Sequence, residues 1–220
     1  MYNACMKLES IRVLIWDFDG TLYRPNTELF AAVREAEYQA IMEHTGWTRE
    51  KAMEEFHKLH RVTIQSATAV IAKLCNMSIG QAAVESEKRF DRRKYLHRDE
   101  KLIDLFAKLT KFRHFTLANG VKQYHVETLK LLGVPPETFE EMVTSETVGV
   151  TKPDDKGFRY IMKKTGLPPE AHLMIGDREL VDLAPAKNLG MHTCLVWSDK
   201  KSTIADATLL TVYDVAAMLQ

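Results

Sequence analysis

The run from Ile11 to Trp16 sets the terms for what this chain can fold into. It is short, nearly all apolar and rich in β-branched residues, so it has no polar face to offer water and predicts a strand covered on both sides in a parallel sheet. The carboxyl end of such a strand is where α/β sheets gather their ligands. Here that end carries Asp17 and Asp19, with Phe18 between them and Gly20 after them. In extended chain the two aspartates project to one side and Phe18 to the other, so both carboxylates can face one small volume. Buried acids are costly unless they hold a cation, accept hydrogen bonds or titrate. Calcium loops and plain turns share the Asp-x-Asp-Gly pattern, so the pair alone does not decide its role.

After Tyr23 the pattern changes. From about Thr27 to Arg93 the spacing predicts helices only. Leu29, Ala32, Val33, Ala36, Ala40 and Ile41 recur at helical spacing up to Gly46. Thr48 is placed to cap a second helix through Phe56 and Leu59, and Val62 to Leu74 reads as a third. Ser78 and Gln81 form a capping-box pair opening a fourth. Strands and helices then alternate, which implies a parallel sheet. Helices are predicted around Leu102 to Leu109, over Val121–Leu132, and over Lys156–Thr165 with Asp154 or Asp155 as cap; strands are predicted at His114–Ala118, Glu141–Thr144, His172–Ile175, His192–Trp197 and Ala207–Leu210. The expected fold is α/β, a Rossmann-like doubly wound parallel sheet formed by residues 1–24 and 95–220, with a helical cap of residues 25–94 inserted into it.

Composition bounds the partners. With 220 residues the chain can bury one core and carry a smaller unit, and 30 basic against 30 acidic residues give no field favouring nucleic acid or an anionic membrane. Met1 to Ser10 lacks the apolar segment of a signal peptide and no run is long enough to span a bilayer, so a cytoplasmic location is expected. Cys5, Cys75 and Cys194 are few and widely separated, which suits reduced thiols and suggests neither disulfides nor zinc.

Three further segments fall where a doubly wound sheet would bring them to the edge that holds Asp17. Leu173 to Ile175 is a second apolar strand, ending in Gly176-Asp177, with Asp182 five residues later. Asp177 is placed to bind a cation opposite Asp17. Asp182 suits positioning of a metal water, orientation of a lysine, or a helix start paired with the macrodipole. Lys152 precedes Pro153 ahead of a capped helix, where a compact ammonium can neutralise crowded carboxylates and hold a phosphoryl oxygen. Ala118-Asn119-Gly120 closes a strand and opens a helix, whose first amides form a natural anion site.

In this order the four segments resemble the motifs of the haloacid dehalogenase superfamily: Asp17-Phe18-Asp19-Gly20-Thr21 the first, Ala118-Asn119-Gly120 the second, Lys152-Pro153 the third, and Gly176-Asp177 through Asp182 the fourth. The helical insert is similar to that family's type-one cap. The resemblance implies a phosphatase acting on a small phosphorylated metabolite, with Asp17 as nucleophile, Asp19 as acid and base, and Lys152 as a second positive group. It implies magnesium held by Asp17, the Asp19 carbonyl and Asp177, with Asp182 completing the metal site, and a phosphate cradle of Gly20, Thr21, Ala118, Asn119, Gly120 and Lys152. The acid role requires Asp19 to have a raised proton affinity. One position departs from the pattern. The second motif ordinarily offers a hydroxyl where this chain has Ala118; Thr116 lies about 6.6 Å farther back along the strand, leaving the Asn119 side chain or the local amides to substitute. A phospholigand-binding protein with weak or no turnover, and a phosphomutase or phosphonate hydrolase, are the competing readings. Arg24, His57, Lys58, His60, Arg61 and Gln65 are the candidate contacts to the leaving group.

Overall fold

In the computed structural model, residues 8–24, 26–60, 62 and 66–220 are described. Cys5, Arg61 and Gln65 lie outside them, as does part of the third helix expected over Val62–Leu74. The chain runs through β1 (Val13–Trp16), then four helices, α1 (Thr27–Thr45), α2 (Arg49–Leu59), α3 (Ala67–Leu74) and α4 (Ile79–Glu87). It continues with α5 (Glu100–Lys108), β2 (Arg113–Ala118), α6 (Lys122–Leu132), β3 (Glu141–Thr144), α7 (Ser145–Val148) and α8 (Lys156–Thr165). β4 (His172–Gly176), α9 (Ala184–Asn188), β5 (His192–Leu195), β6 (Ala207–Thr208) and α10 (Val215–Met218) complete it. The last two strands are shorter than the sequence predicts, ending at Leu195 and Thr208, with the Val196 and Leu209 amides making the last bonds to the neighbouring strands.

Among the described residues, six strands form one parallel sheet in the order β3-β2-β1-β4-β5-β6. β1 is therefore internal. Its alternation explains the unbroken apolar run: Leu14 and Trp16 pack with Leu105, Phe106 and Leu129 of α5 and α6, while Val13 and Ile15 pack on the other face with Phe158, Ile161 and Leu183. Every residue of β1 is fully buried. At roughly 1.5–3 kcal/mol for each large side chain buried, this strand is among the costliest to disturb. Trp16 also donates its indole N–H to His114 Nδ1 at 3.1 Å, which leaves the His114 Nε2 proton for the Leu109 carbonyl at 3.0 Å. Burial keeps that imidazole neutral by pushing its pKa down.

The inserted helices have a core of their own, built from Tyr38, Ile41, Phe56, Val70, Ile71 and Ala82. Their starts are written in the sequence. Asn26, Thr48 and Ser66 each accept a first-turn amide, and Ser78 with Gln81 makes the reciprocal capping box. α8 differs in detail, since the Asp154 carboxylate, one residue before the cap position, accepts the Lys156 amide at 2.9 Å. No single described helix is long and apolar enough to cross a membrane.

Candidate active site

The carboxyl ends of β1, β2 and β4 meet at one point, because β1 lies between the other two. Asp17 leaves β1 still tied to the neighbouring strand, its amide donating to the Ile175 carbonyl at 2.9 Å. Gly20 then turns the chain at a φ of +92°, and a Cβ there would lie 2.6 Å from Asp177 Oδ2. Both the dihedral and the close approach require glycine.

Lys152 is buried between two acids. Its Nζ donates to Asp17 Oδ1 at 2.6 Å and to Asp182 Oδ1 at 2.7 Å. Burial works against the ammonium, but Asp17 and Asp182 outweigh it and hold its pKa above the ordinary lysine value. The second oxygen of Asp182 accepts the Arg178 amide at 3.0 Å, and the second oxygen of Asp17 accepts the Thr21 hydroxyl at 2.9 Å. Of the sequence alternatives for Asp182, orientation of the lysine is seen directly, and its carboxylate also lies among those of Asp17 and Asp177.

Asp177 is the odd member. Asp17, Asp177 and Asp182 present carboxylate oxygens within 4.8 Å of one another, yet Asp177 Oδ1 is buried with no hydrogen-bond partner. Burial first, and the charges of Asp17 and Asp182 next, push the Asp177 carboxyl up to about 8. An acid whose oxygen has no hydrogen bond and only Arg178 at 4.0 Å to offset neighbouring acids fits a hard divalent cation that prefers oxygen ligands, so these residues suit magnesium. The Asp19 carboxylate is not part of this cluster.

Asp19 points toward the helical insert. Its Oδ1 accepts from the Tyr23 hydroxyl and from Arg92 Nη1, the latter at 2.8 Å, and Arg92 is held in turn by Glu87 at 2.6 Å. Burial would raise the Asp19 carboxyl, but Arg92, His125 and the Tyr23 hydroxyl together hold it below the usual aspartate value. This corrects the expectation of a raised proton affinity: a guanidinium from beyond α4 meets the carboxylate and favours its ionised form.

The second motif is also arranged differently from the expectation. The Asn119 side chain is not free for a ligand; its Oδ1 accepts the Lys152 amide at 2.7 Å and its Nδ2 donates to the Lys152 carbonyl at 3.1 Å, clamping the lysine loop to β2. The first amide of α6, at Lys122, is taken by Glu146 at 2.9 Å, so that part of the helix N-terminus already has its anion. Ala118 is buried at the end of β2, and the Thr116 hydroxyl is buried with no partner.

A cavity of about 1170 Å³ opens over these groups. Asp19, Gly20, Asn119, Gly120 and Asp177 line its floor, and Arg34, Glu37 and His60 are among the residues of the insert that face it. Arg34 Nη1 lies 2.7 Å from Glu37 Oε2, and burial pushes Glu37 up to about 7. Of the proposed leaving-group contacts, Arg24 and His60 line the cavity, whereas Lys58 pairs with Glu54 and Glu55 and His57 bonds the Tyr38 hydroxyl. The sequence reading missed Arg92 and His125. Arg92 sits in a basic triplet that looks like solvated surface, and His125 occupies an ordinary helical position, so neither carries a local signal.

The haloacid dehalogenase-like hydrolase family matches residues 14–196 of the chain. A glyceraldehyde 3-phosphate phosphatase of Methanocaldococcus jannaschii is 30% identical over 206 residues, covering 89% of each chain. A pyrimidine 5'-nucleotidase of Escherichia coli is 34% identical over 79 residues, or 36% of this chain and 35% of that one. Among solved structures, a HAD phosphatase from Thermococcus onnurineus has the same fold, with a TM-score of 0.67 at 23% identity over 95% of this chain and 98% of that chain.

Proposed function

Because the chain belongs to the haloacid dehalogenase-like hydrolase family, we propose that it is a magnesium-dependent phosphatase that hydrolyses a small phosphorylated metabolite through an aspartyl-phosphate on Asp17. Residues 25–94 act as the cap over a core of residues 1–24 and 95–220. The observation that carries this reading is the buried Asp17–Lys152–Asp182 bridge beside an Asp177 oxygen that has no hydrogen bond.

Asp17 attacks phosphorus through a carboxylate oxygen as the bond to the leaving oxygen breaks. Asp19, once turned away from Arg92 and protonated, gives that oxygen a proton, then takes one from the water that attacks the acyl phosphate, returning Asp17 and releasing inorganic phosphate. Lys152 sits where its ammonium can balance charge on both Asp17 and the phosphoryl oxygens, and Asp182 keeps it there. Asp17, Asp177 and the Asp19 carbonyl would hold magnesium, which supplies further withdrawal of charge from the phosphoryl group. Gly20, Thr21, Ala118, Asn119 and Gly120 cradle that group mainly through backbone amides, since the Asn119 side chain is committed to Lys152.

The relatives matched over most of the chain are named for glyceraldehyde 3-phosphate, which makes a triose phosphate the first substrate to try. Phosphate release from glyceraldehyde 3-phosphate, sugar phosphates and nucleoside monophosphates, measured with and without EDTA and in Asp17→Asn, tests the reading. Release that is lost in both EDTA and the variant supports it. Inactivity of the wild type on every substrate, with tight phosphate-ester binding, supports instead a phospholigand-binding protein, the alternative that Ala118 favours.

A further inference from the structure

His125 is a buried side chain without an assigned task. It lies on α6 with no exposed surface, and both of its ring nitrogens lack hydrogen-bond partners. A polar group left in that state costs about 1–3 kcal/mol, which a leucine at this position would avoid. The ring is nonetheless held firmly. It stacks on Phe18 at 4.2 Å between centroids and 20° between planes, and Gly120 makes room for it, since a Cβ there would lie 2.7 Å from His125 Nε2. That nitrogen faces Asp19 Oδ2 across 4.0 Å.

Asp19 thus stands between two partners of different kinds. On one side Arg92, itself held by Glu87, and the Tyr23 hydroxyl take Oδ1. On the other, a neutral imidazole waits about 1 Å beyond hydrogen-bond range. Resting on the phosphatase reading above, we infer that His125 is a positioning residue for Asp19: its Nε2–H takes Oδ2 when the carboxyl turns away from Arg92. The chemistry of the two partners separates their effects. A guanidinium favours the carboxylate, whereas a neutral donor on Oδ2 orients the carboxyl in either protonation state and leaves Oδ1 to carry a proton to the leaving oxygen. With no exposed surface and no anion within hydrogen-bond range, the ring offers Nε2–H as an uncharged donor.

The test compares leaving groups. His125→Phe keeps the stacking on Phe18 and removes the donor, and His125→Gln keeps a donor. General acid catalysis contributes about 10²–10⁴-fold, so loss of its orientation in His125→Phe is expected to lower kcat/KM for glyceraldehyde 3-phosphate by about 10-fold or more, with KM little changed. For p-nitrophenyl phosphate, whose leaving group needs no proton, kcat/KM should fall far less, and His125→Gln should recover part of the loss on the triose phosphate. Equal losses on both substrates, or none on either, overturn the inference while leaving the phosphatase reading intact; a wild type inactive on both overturns that reading and this inference with it. A second measurement needs no turnover and no change at His125. In Arg92→Gln the freed Asp19 should turn to the imidazole, moving the Nε2–H resonance of His125 downfield by NMR, and an unmoved resonance overturns the inference.

Discussion

Lys152→Met tests whether the buried bridge is held together as its distances imply. The variant keeps the unbranched stem but deletes the ammonium lying 2.6 Å from Asp17 and 2.7 Å from Asp182. Removing one partner of a buried ion pair typically costs about 3–5 kcal/mol, because the remaining charge stays desolvated. In a protein of this size that corresponds to a fall in Tm of roughly 6–20 °C. The penalty has a pH signature. Without the lysine, the carboxyls of Asp177 and Asp182, already pushed up by burial and by Asp17, rise further. Groups whose folded pKa is raised favour folding at low pH and lose that contribution as pH rises through the folded value, so the variant should be penalised more at pH 8.5 than at pH 5.5. Urea unfolding of the metal-free protein in EDTA at both pH values reads this directly. Adding Asp182→Asn should restore at least about 1 kcal/mol, since residues in one network couple by about 0.5–3 kcal/mol. A loss below about 1 kcal/mol at pH 8.5, or strict additivity of the two substitutions, would refute the reasoning.

Two further outcomes follow from the same groups. Ala118→Ser should raise kcat in steady-state assays, because one preorganised donor is worth about 10²–10³ in other oxyanion sites and the backbone amides cover only part of it; an unchanged or lower rate counts against the account of Ala118. His125, lowered from 6.5 to about 4, stays neutral in the fold while the unfolded chain takes up its proton, so its contribution is complete above pH 6.5 and is lost as pH falls through 4. At about 1.4 kcal/mol per tenfold change in proton affinity this amounts to about 3 kcal/mol, so wild type should lose stability relative to His125→Phe by that order between pH 7 and pH 4. A gap constant with pH removes the buried neutral imidazole from the explanation.

What was legible in the sequence was what depends on local order. The β1 run announced a strand covered on both faces, and its residues do alternate between two helical layers. Thr48 and the Ser78–Gln81 pair stand at helix starts as their sequence context indicates, whereas the caps at Asn26 and Ser66 were not read from the sequence. The convergence of Asp17, Asp177 and Asp182 followed from sheet topology, since the ends of the adjacent parallel strands β1 and β4 meet, while Lys152 reaches them from the loop after α7 that Asn119 ties to β2. The partners of Asp19 were not legible. Arg92 lies 73 positions away, beyond four helices whose packing decides where it lands. Nor does sequence show that the Asn119 amide group is used up: that depends on how closely two loops approach, and the same dipeptide with a looser loop would leave the side chain free. The short ends of β5 and β6 reflect where the ladder stops, which periodicity alone does not mark.

The internal position of β1 bears on how the site yields when the molecule fluctuates. Amides of a strand paired on both sides are the last to exchange with solvent, because opening them requires the whole sheet to come apart. Asp17 grows from that strand, and Lys152 and Asp182 are locked onto it. Arg92 instead follows a helical unit with a core cluster of its own, joined to the sheet-side cluster through Leu29 rather than through the strand ladder. Partial opening of that unit would release Asp19 while leaving Asp17 and Lys152 in place. The two aspartates that sit side by side in the sequence thus belong to two different levels of cooperativity.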